Sequence, residues 1–194
     1  MAIRIATIED LDQILSIYRP YVENTTVSFE YEAPTMDEFR ARFEAITAQF
    51  PWLVWEDDGM IAGYTYACAP FSRAAYRWCA EPSIYLRPEF HGKGIGRKLY
   101  GALEALLRMQ GYRLSYAIIT SENTGSLAFH ESMGYSRLAD FAHCAYKFGR
   151  SLGIIWMEKR LFSAEMPSNM PANFPSFVKN NENFKKILDN LSLS

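Results

Sequence analysis

The stretch from Glu81 to Gly96, E-P-S-I-Y-L-R-P-E-F-H-G-K-G-I-G, constrains this chain more than any other. Ser83-Ile84-Tyr85-Leu86 is a short β-forming run, and Arg87-Pro88 breaks it. A glycine-spaced turn follows, His91-Gly92-Lys93-Gly94-Ile95-Gly96, and then a helical pattern over Leu99, Tyr100, Ala102, Leu103, Leu106 and Leu107. Strand, glycine turn and helix in that order predict an anion cradle. Glycine lets the backbone approach an anion closely, and the first turn of a helix has free N–H groups to offer it. Lys93, Arg97 and Lys98 add positive charge. The spacing is neither the P-loop pattern nor the dinucleotide fingerprint. Taken alone, such a turn is equally a tight connection.

A second motif stands downstream, Asn123-Thr124-Gly125-Ser126-Leu127-Ala128-Phe129-His130-Glu131-Ser132-Met133-Gly134-Tyr135. With the first, it resembles the GNAT N-acetyltransferase superfamily. His91 to Gly96 is similar to that family's acyl-CoA pyrophosphate loop, [QRH]-x-x-G-x-[GA]. Asn123 to Tyr135 is similar to its N-x-x-[AS]-x-x-[LF]-[YH]-E-x-x-G-[FY] signature. His130, Tyr76-Arg77-Trp78 and Glu81 to Tyr85 resemble the phosphinothricin acetyltransferase and L-amino acid N-acyltransferase branch. The resemblance runs from Ile3 to about Leu161 and leaves out the tail.

Local patterns give the element order. Ile3–Thr7 alternates as a strand, and a helix follows over Leu11, Ile14, Leu15, Ile17 and Tyr18. Thr35-Met36-Asp37-Glu38 starts a helix with Phe39, Phe43 and Ile46 as its apolar stripe. Asn24–Pro34 is a loop. Trp52–Trp55 and Met60–Ala67 flank Asp57-Asp58-Gly59 as a hairpin. Strands are expected at Ser83–Leu86, Leu114–Thr120, Ser136 to about Lys147 and Gly153–Leu161. Helices are expected from the glycine turn to near Gly111 and from Ser126 to Met133. The order β-α-α-β-β-β-α-β-α-β-β predicts an α/β fold, a mixed sheet with helices on both faces. The resemblance implies a mostly antiparallel sheet, splayed at its central strands.

The chain has 194 residues, expected as one domain over 1–162 and a Pro- and Asn-rich extension over 163–194. Phe184, Ile187, Leu188 and Leu191 have helical spacing in that tail, which is expected to fray or dock loosely. The net charge of −2 argues against a nucleic-acid binder. Three scattered cysteines suggest neither a disulfide framework nor a metal site, and no apolar run is long enough to span a membrane. The expectation is a cytoplasmic protein.

Acetyl transfer to an amine needs a held thioester, a neutral amine, stabilisation of developing charge and a proton for the departing thiolate. The resemblance implies acetyl-CoA as donor, with no metal. Tyr85, Leu86 and Arg87 would hold the thioester through main-chain groups. His91, Gly92, Lys93, Gly94, Ile95, Gly96 and Arg97 would hold the pyrophosphate, and Asn123 and Ser126 the cofactor's other side. Asn123 is also a helix N-cap candidate, and the two roles are compatible. Glu81 is the candidate general base, its alternative being an ion pair with Arg73 or Arg77. His130 is the candidate proton donor, its alternative a satisfied interior histidine. Phe29, Arg73, Tyr76 and Arg77 are candidates for the acceptor pocket, where arginine matches a carboxylate. Tyr146 to Gly153 is similar to the branch's K-F-G-R-W-x-D stretch, with Ser151 and Gly153 departing from it. Trp156 is expected to fill part of the space this vacates. The expected acceptor is a small primary amine, an amino acid or an analogue such as phosphinothricin or methionine sulfoximine. A peptide N-terminus, an aminoglycoside, or a CoA-binding module without turnover are the alternatives. The resemblance also suggests a homodimer through the late strands.

Overall fold

Asp58 at φ 47° and Gly59 at φ 79° turn the chain back on itself. Left-handed backbone at both positions suits a tight hairpin, and Asp and Gly tolerate it. β2 (Trp52–Asp57) and β3 (Met60–Cys68) pair antiparallel on either side, as the sequence predicts. The structure is a computed structural model that describes residues 2–163 and 169–193.

The other strands are β1 (Ala2–Ile5), β4 (Cys79–Leu86), β5 (Leu114–Thr120), β6 (Ser136–Lys147) and β7 (Arg150–Arg160). They form one seven-stranded sheet in the order β1-β2-β3-β4-β5-β7-β6. Every neighbouring pair is antiparallel except β4 and β5. Those two run parallel and pair only at Cys79–Leu114 and Ala80–Ser115. Beyond Ala80 they part, so the sheet is splayed at its centre.

β4 starts at Cys79, four residues before the expected strand, and so includes Glu81. Pro82 concealed this. A proline lacks the N–H that a central strand needs, but β4 is an edge on its β5 side from Glu81 onward.

The helices are α1 (Leu11–Asn24), α2 (Met36–Thr47), α3 (Ile95–Gln110), α4 (Thr124–Ser132), α5 (Phe174–Lys179) and α6 (Phe184–Leu193). α2 opens with a reciprocal cap: Glu38 N–H donates to Thr35 Oγ1 at 3.3 Å, and Thr35 N–H donates to the Glu38 carboxylate at 2.8 Å. Alternation along the strands divides the core. Trp52, Val54, Ile61 and Tyr64 pack with α1 and α2 on one face. Leu53, Trp55, Ala62 and Ala80 pack with α3, α5 and α6 on the other. α4 lies with α3 over Ala117, Ile119, Ile155 and Met157. On the opposite face of β5 and β7, Tyr116 and Trp156 meet Phe71, and Ile118, Phe141 and Tyr76 are exposed.

The tail differs from expectation. Phe174, Phe177, Phe184 and Leu188 are buried in the main core, and α5 was not expected. Main-chain bonds from Ala172 N–H to Gln110 and from Phe174 N–H to Gln49 lay the segment across the end of α3. Prolines 171 and 175 suggested a linker, yet Pro175 stands in the first turn of α5 behind the Asn173 cap, where proline fits.

Candidate active site

The glycine turn takes a left-handed backbone shape that leaves main-chain donors without partners. Gly92 and Gly94 have φ of 72° and 78°, and a Cβ at either would meet nothing within 4 Å, so glycine is needed for the backbone shape alone. Among the described residues, no main-chain N–H from Gly92 to Arg97 has a main-chain acceptor. Six main-chain donors are therefore unbonded at the start of α3. His91 is not one of them, since its N–H closes a tight turn to Pro88. Its Nε2 lies 3.1 Å from the Tyr21 hydroxyl. Lys93 extends over the Phe90 ring. Gly96 lets α3 sit close to β4, its Cβ position being 3.4 Å from Leu86 Cδ1.

Two arginines have bonds within the fold that the sequence did not suggest. Arg87 offers no free main-chain group: its N–H donates to Ala62 O at 2.9 Å and its carbonyl accepts from Phe90. Its guanidinium ties Ile61 O and Ser16 Oγ, both at 2.9 Å. The Arg97 guanidinium turns away to Ser132, 2.8 Å from Oγ, and staples α3 to α4. Leu86 also has its carbonyl occupied, by the Tyr21 hydroxyl at 2.5 Å.

The splay between β4 and β5 is a cleft lined by Val27, by residues 82–85 and 117–120, and by Asn123, Ser126 and His130. Asn123 Oδ1 accepts from Ser126 N–H at 3.0 Å, so Asn123 caps α4 and lines the cleft at once. His130 is buried. Its Nδ1 donates to the Ser126 carbonyl at 2.8 Å and lies 3.3 Å from Ser126 Oγ. In the neutral ring Nε2 is then an acceptor, and it faces the Tyr100 hydroxyl at 3.0 Å. That hydroxyl is 3.2 Å from Tyr135 Oη, itself 2.5 Å from Ser115 Oγ. Burial pushes the His130 pKa down. By its bonds His130 is a satisfied interior histidine, and it also lines the cleft.

Glu81 is half-buried on β4, opposite Cys68 on β3. Among the described residues it has no cationic partner, so the ion pair with Arg73 or Arg77 is not formed. Burial pushes its pKa up. Burial, and then the Glu81 charge, push the Cys68 thiol up to about 12, which keeps it protonated.

The structure does not bring the four acceptor candidates together. Arg73 and Arg77 line a second cavity, no lining residue of which is shared with the cleft. Tyr76 packs on Phe71 at 4.6 Å. Phe29 lies in the Asn24–Pro34 loop, whose neighbouring residue Tyr31 donates to Tyr146 O at 2.5 Å. Lys147 supports the same loop from within. It is buried, and its Nζ donates to the carbonyls of Val22, Thr25 and Ser28.

Sequence reasoning missed Tyr21, Lys147 and Gly63. A Cβ at Gly63 would stand 2.1 Å from Leu86 Cδ2 and 2.8 Å from Tyr85 O, so β4 closes onto β3 only because glycine is there. A glycine inside an apolar strand was the available signal.

The family profile described as "Acetyltransferase (GNAT) domain" matches residues 3–156. The chain belongs to the GNAT acetyltransferase family. It is an acyl-CoA-dependent N-acetyltransferase. The chain is 33% identical over 147 residues to a phosphinothricin N-acetyltransferase of Streptomyces viridochromogenes, covering 76% of this chain and 80% of the relative. It is 35% identical over 162 residues to the L-amino acid N-acyltransferase MnaT of Escherichia coli, covering 83% and 94%. A GNAT superfamily phosphinothricin acetyltransferase of Sinorhizobium meliloti, solved in complex with acetyl-CoA, superposes with a TM-score of 0.83. It shares 34% identity, with 89% of this chain and 95% of that one covered.

Within this GNAT enzyme, the departures at Ser151 and Gly153 have local reasons. Ser151 Oγ bonds His143 Nδ1 at 3.0 Å, where His143 takes φ 56° in β6. A Cβ at Gly153 would lie 3.0 Å from Phe141 O and 3.2 Å from Ser121 Oγ, so an aspartate there would require these neighbours to shift. Trp156 does not fill the space. It stands five residues beyond Ser151, on the other face of β7, and stacks on Phe71 at 5.7 Å.

Proposed function

We propose that this acetyltransferase moves the acetyl group of acetyl-CoA to the primary amine of an amino acid or an analogue such as phosphinothricin or methionine sulfoximine, by direct attack. One observation carries the reading: Glu81, a half-buried carboxyl without a cation, sits on the same strand that leads into a cradle of six unbonded amides. The residues fit acetyl-CoA. The N–H groups from Gly92 to Arg97 hold the pyrophosphate, with Lys93 beside them. The unpaired edge of β4 from Glu81 to Tyr85 receives the pantetheine along the splay. When bound, acetyl-CoA supplies an activated thioester.

Glu81 takes the proton of the ammonium acceptor, directly or through one water, because a raised pKa brings a carboxylate closer to the amine in basicity. His130 is the proton donor to the departing thiolate, with Ser126 Oγ, 3.3 Å from its Nδ1 and on the cleft wall, as the relay, and the proton that the attacking amine sheds restores it. No cysteine lines the cleft, which supports attack without a covalent enzyme intermediate. The relatives named for phosphinothricin and for L-amino acids support this class of amine. The protein works as a homodimer joined through its late strands, where Leu138 and Phe141 of β6 are exposed, which light scattering would report as twice the chain mass.

The test is release of free CoA thiol with acetyl-CoA and a panel of amino acids, their sulfoximine and phosphinic analogues, dipeptides and an aminoglycoside. Turnover with the amino-acid group is expected. Turnover confined to dipeptides or the aminoglycoside would overturn the acceptor class.

A further inference from the structure

A second cavity of about 410 Å³ lies between the Ala69–Cys79 connection and the C-terminal segment, within the size range of small-molecule sites. Phe50, Phe71 and Tyr112 give it aromatic walls, and Arg73 and Arg77 supply charge. No acidic residue lines it, and among the described residues neither arginine has a carboxylate partner. Two guanidinium groups beside an apolar hollow match an anion that carries an apolar body.

The remaining wall is Met170, Pro171 and Asn173, from the extension that the family profile does not reach. That wall is held in place. Ala172 exchanges two bonds with Gln110, one from its own N–H and one from the Gln110 amide, both at 2.9 Å. Trp78 Nε1 donates to Asn169 O, and Arg77 Nη1 contacts Met170 Sδ. The Phe50 and Tyr112 rings stack at 5.1 Å, with Gln49 bonded to the Tyr112 hydroxyl. The hollow is open to solvent on one side, and the walls that these bonds hold need little rearrangement to receive a ligand.

We propose that this cavity is a binding site for a small carboxylate with an apolar body, separate from the acyl-CoA cleft and completed by the C-terminal extension. Two sources share that chemistry. One is the acceptor itself, held by its carboxylate; Cys79, on the cavity wall, precedes Glu81 by two residues and so shares its face of β4. The other is an effector that is never acetylated. Binding at the cavity does not depend on turnover, so its test stands apart from that of the proposed reaction.

The probe is 3-phenylpropionate, which has no amine to acetylate, measured by calorimetry on the full-length protein with and without saturating CoA. Saturable binding that persists with CoA bound is expected. Arg73→Gln with Arg77→Gln should weaken it at least about tenfold, while Arg73→Lys with Arg77→Lys should restore part of the loss, since charge remains and only the fork is gone. Competition against a turning-over amino acid would identify the acceptor as the natural ligand, and non-competitive behaviour an effector. Absence of saturable binding at about 10 mM, displacement by CoA, or indifference to both arginine pairs would overturn the proposal.

Discussion

Glu81 shows how function and stability oppose each other in one side chain. Burial raises its pKa and no cation offsets that. A carboxylate with a folded pKa above its unfolded value stabilises only below the unfolded value, about 4.3, and the contribution is lost as pH rises through the folded value. At pH 8 the charged group is therefore a net cost to the fold. Glu81→Gln should lower kcat by roughly 10²–10⁴. It should also abolish the acid limb of kcat/KM, which in the wild type rises with pH through the raised pKa. The same variant should melt no lower than wild type at pH 8. A pH–rate profile and a thermal melt together check this, and a large drop in melting temperature would mean that Glu81 is structural. His130 has the opposite sign. Its folded pKa is lowered, so the unfolded state binds the proton more readily and stability falls as pH drops below about 6.5. In His130→Phe that slope should be shallower in denaturant titrations from pH 7 to 5. Glu81 and His130 were legible as candidates because each stands at a fixed offset from a motif. Their partners were not. Tyr100 meets His130 from another helix, and nothing in local spacing announces it.

At the scale of elements, the cradle and the cleft have different origins. The cradle is local: glycine spacing, a strand before and a helix after, all within sixteen residues of sequence. The splay is not, because it depends on β4 and β5 pairing at two positions and then parting. The guanidinium groups of Arg87 and Arg97 were not legible for the same reason: their neighbours in sequence suggested a ligand, while β3, α1 and α4 hold these side chains in the fold. Gly94 separates shape from space. Nothing stands within 4 Å of a Cβ there, so Gly94→Ala introduces only the left-handed backbone penalty, about 1–2 kcal/mol. CoA binding measured by calorimetry should weaken by about 5- to 30-fold if that penalty is taken up by the cradle. The amine KM should not change. Asn123→Ala should act through α4. Loss of the cap bond costs about 1 kcal/mol and loosens the turn that presents Ser126 and His130, so stability and kcat should fall together.

For the molecule as a whole, the question is whether the extension is an accessory. Its composition suggested one: prolines, asparagines and a short amphipathic stretch beyond the residues that the family profile matches. The contacts give another answer. Phe174, Phe177, Phe184 and Leu188 share a core with Leu53, Ala80, Leu103 and Leu107, and α6 packs on both α3 and β1. Composition concealed this because a linker-like segment and a docking segment differ only in what receives them. The receiving face, between α3 and β1, is assembled from residues about ninety positions apart. Burying a large apolar side chain contributes about 1.5–3 kcal/mol, so four of them amount to roughly 6–12 kcal/mol. That is as large as the whole net stability of a typical domain, 5–15 kcal/mol. A chain ending at Phe162 should therefore fail to give a cooperative melt, with CoA unable to rescue it fully. Phe184→Ala alone should cost about 3–5 kcal/mol in a denaturant titration while leaving kcat at low temperature near wild type. If the shortened chain instead melts cooperatively at the wild-type temperature, the extension is only a cover over the second cavity, and its effect would be confined to carboxylate binding.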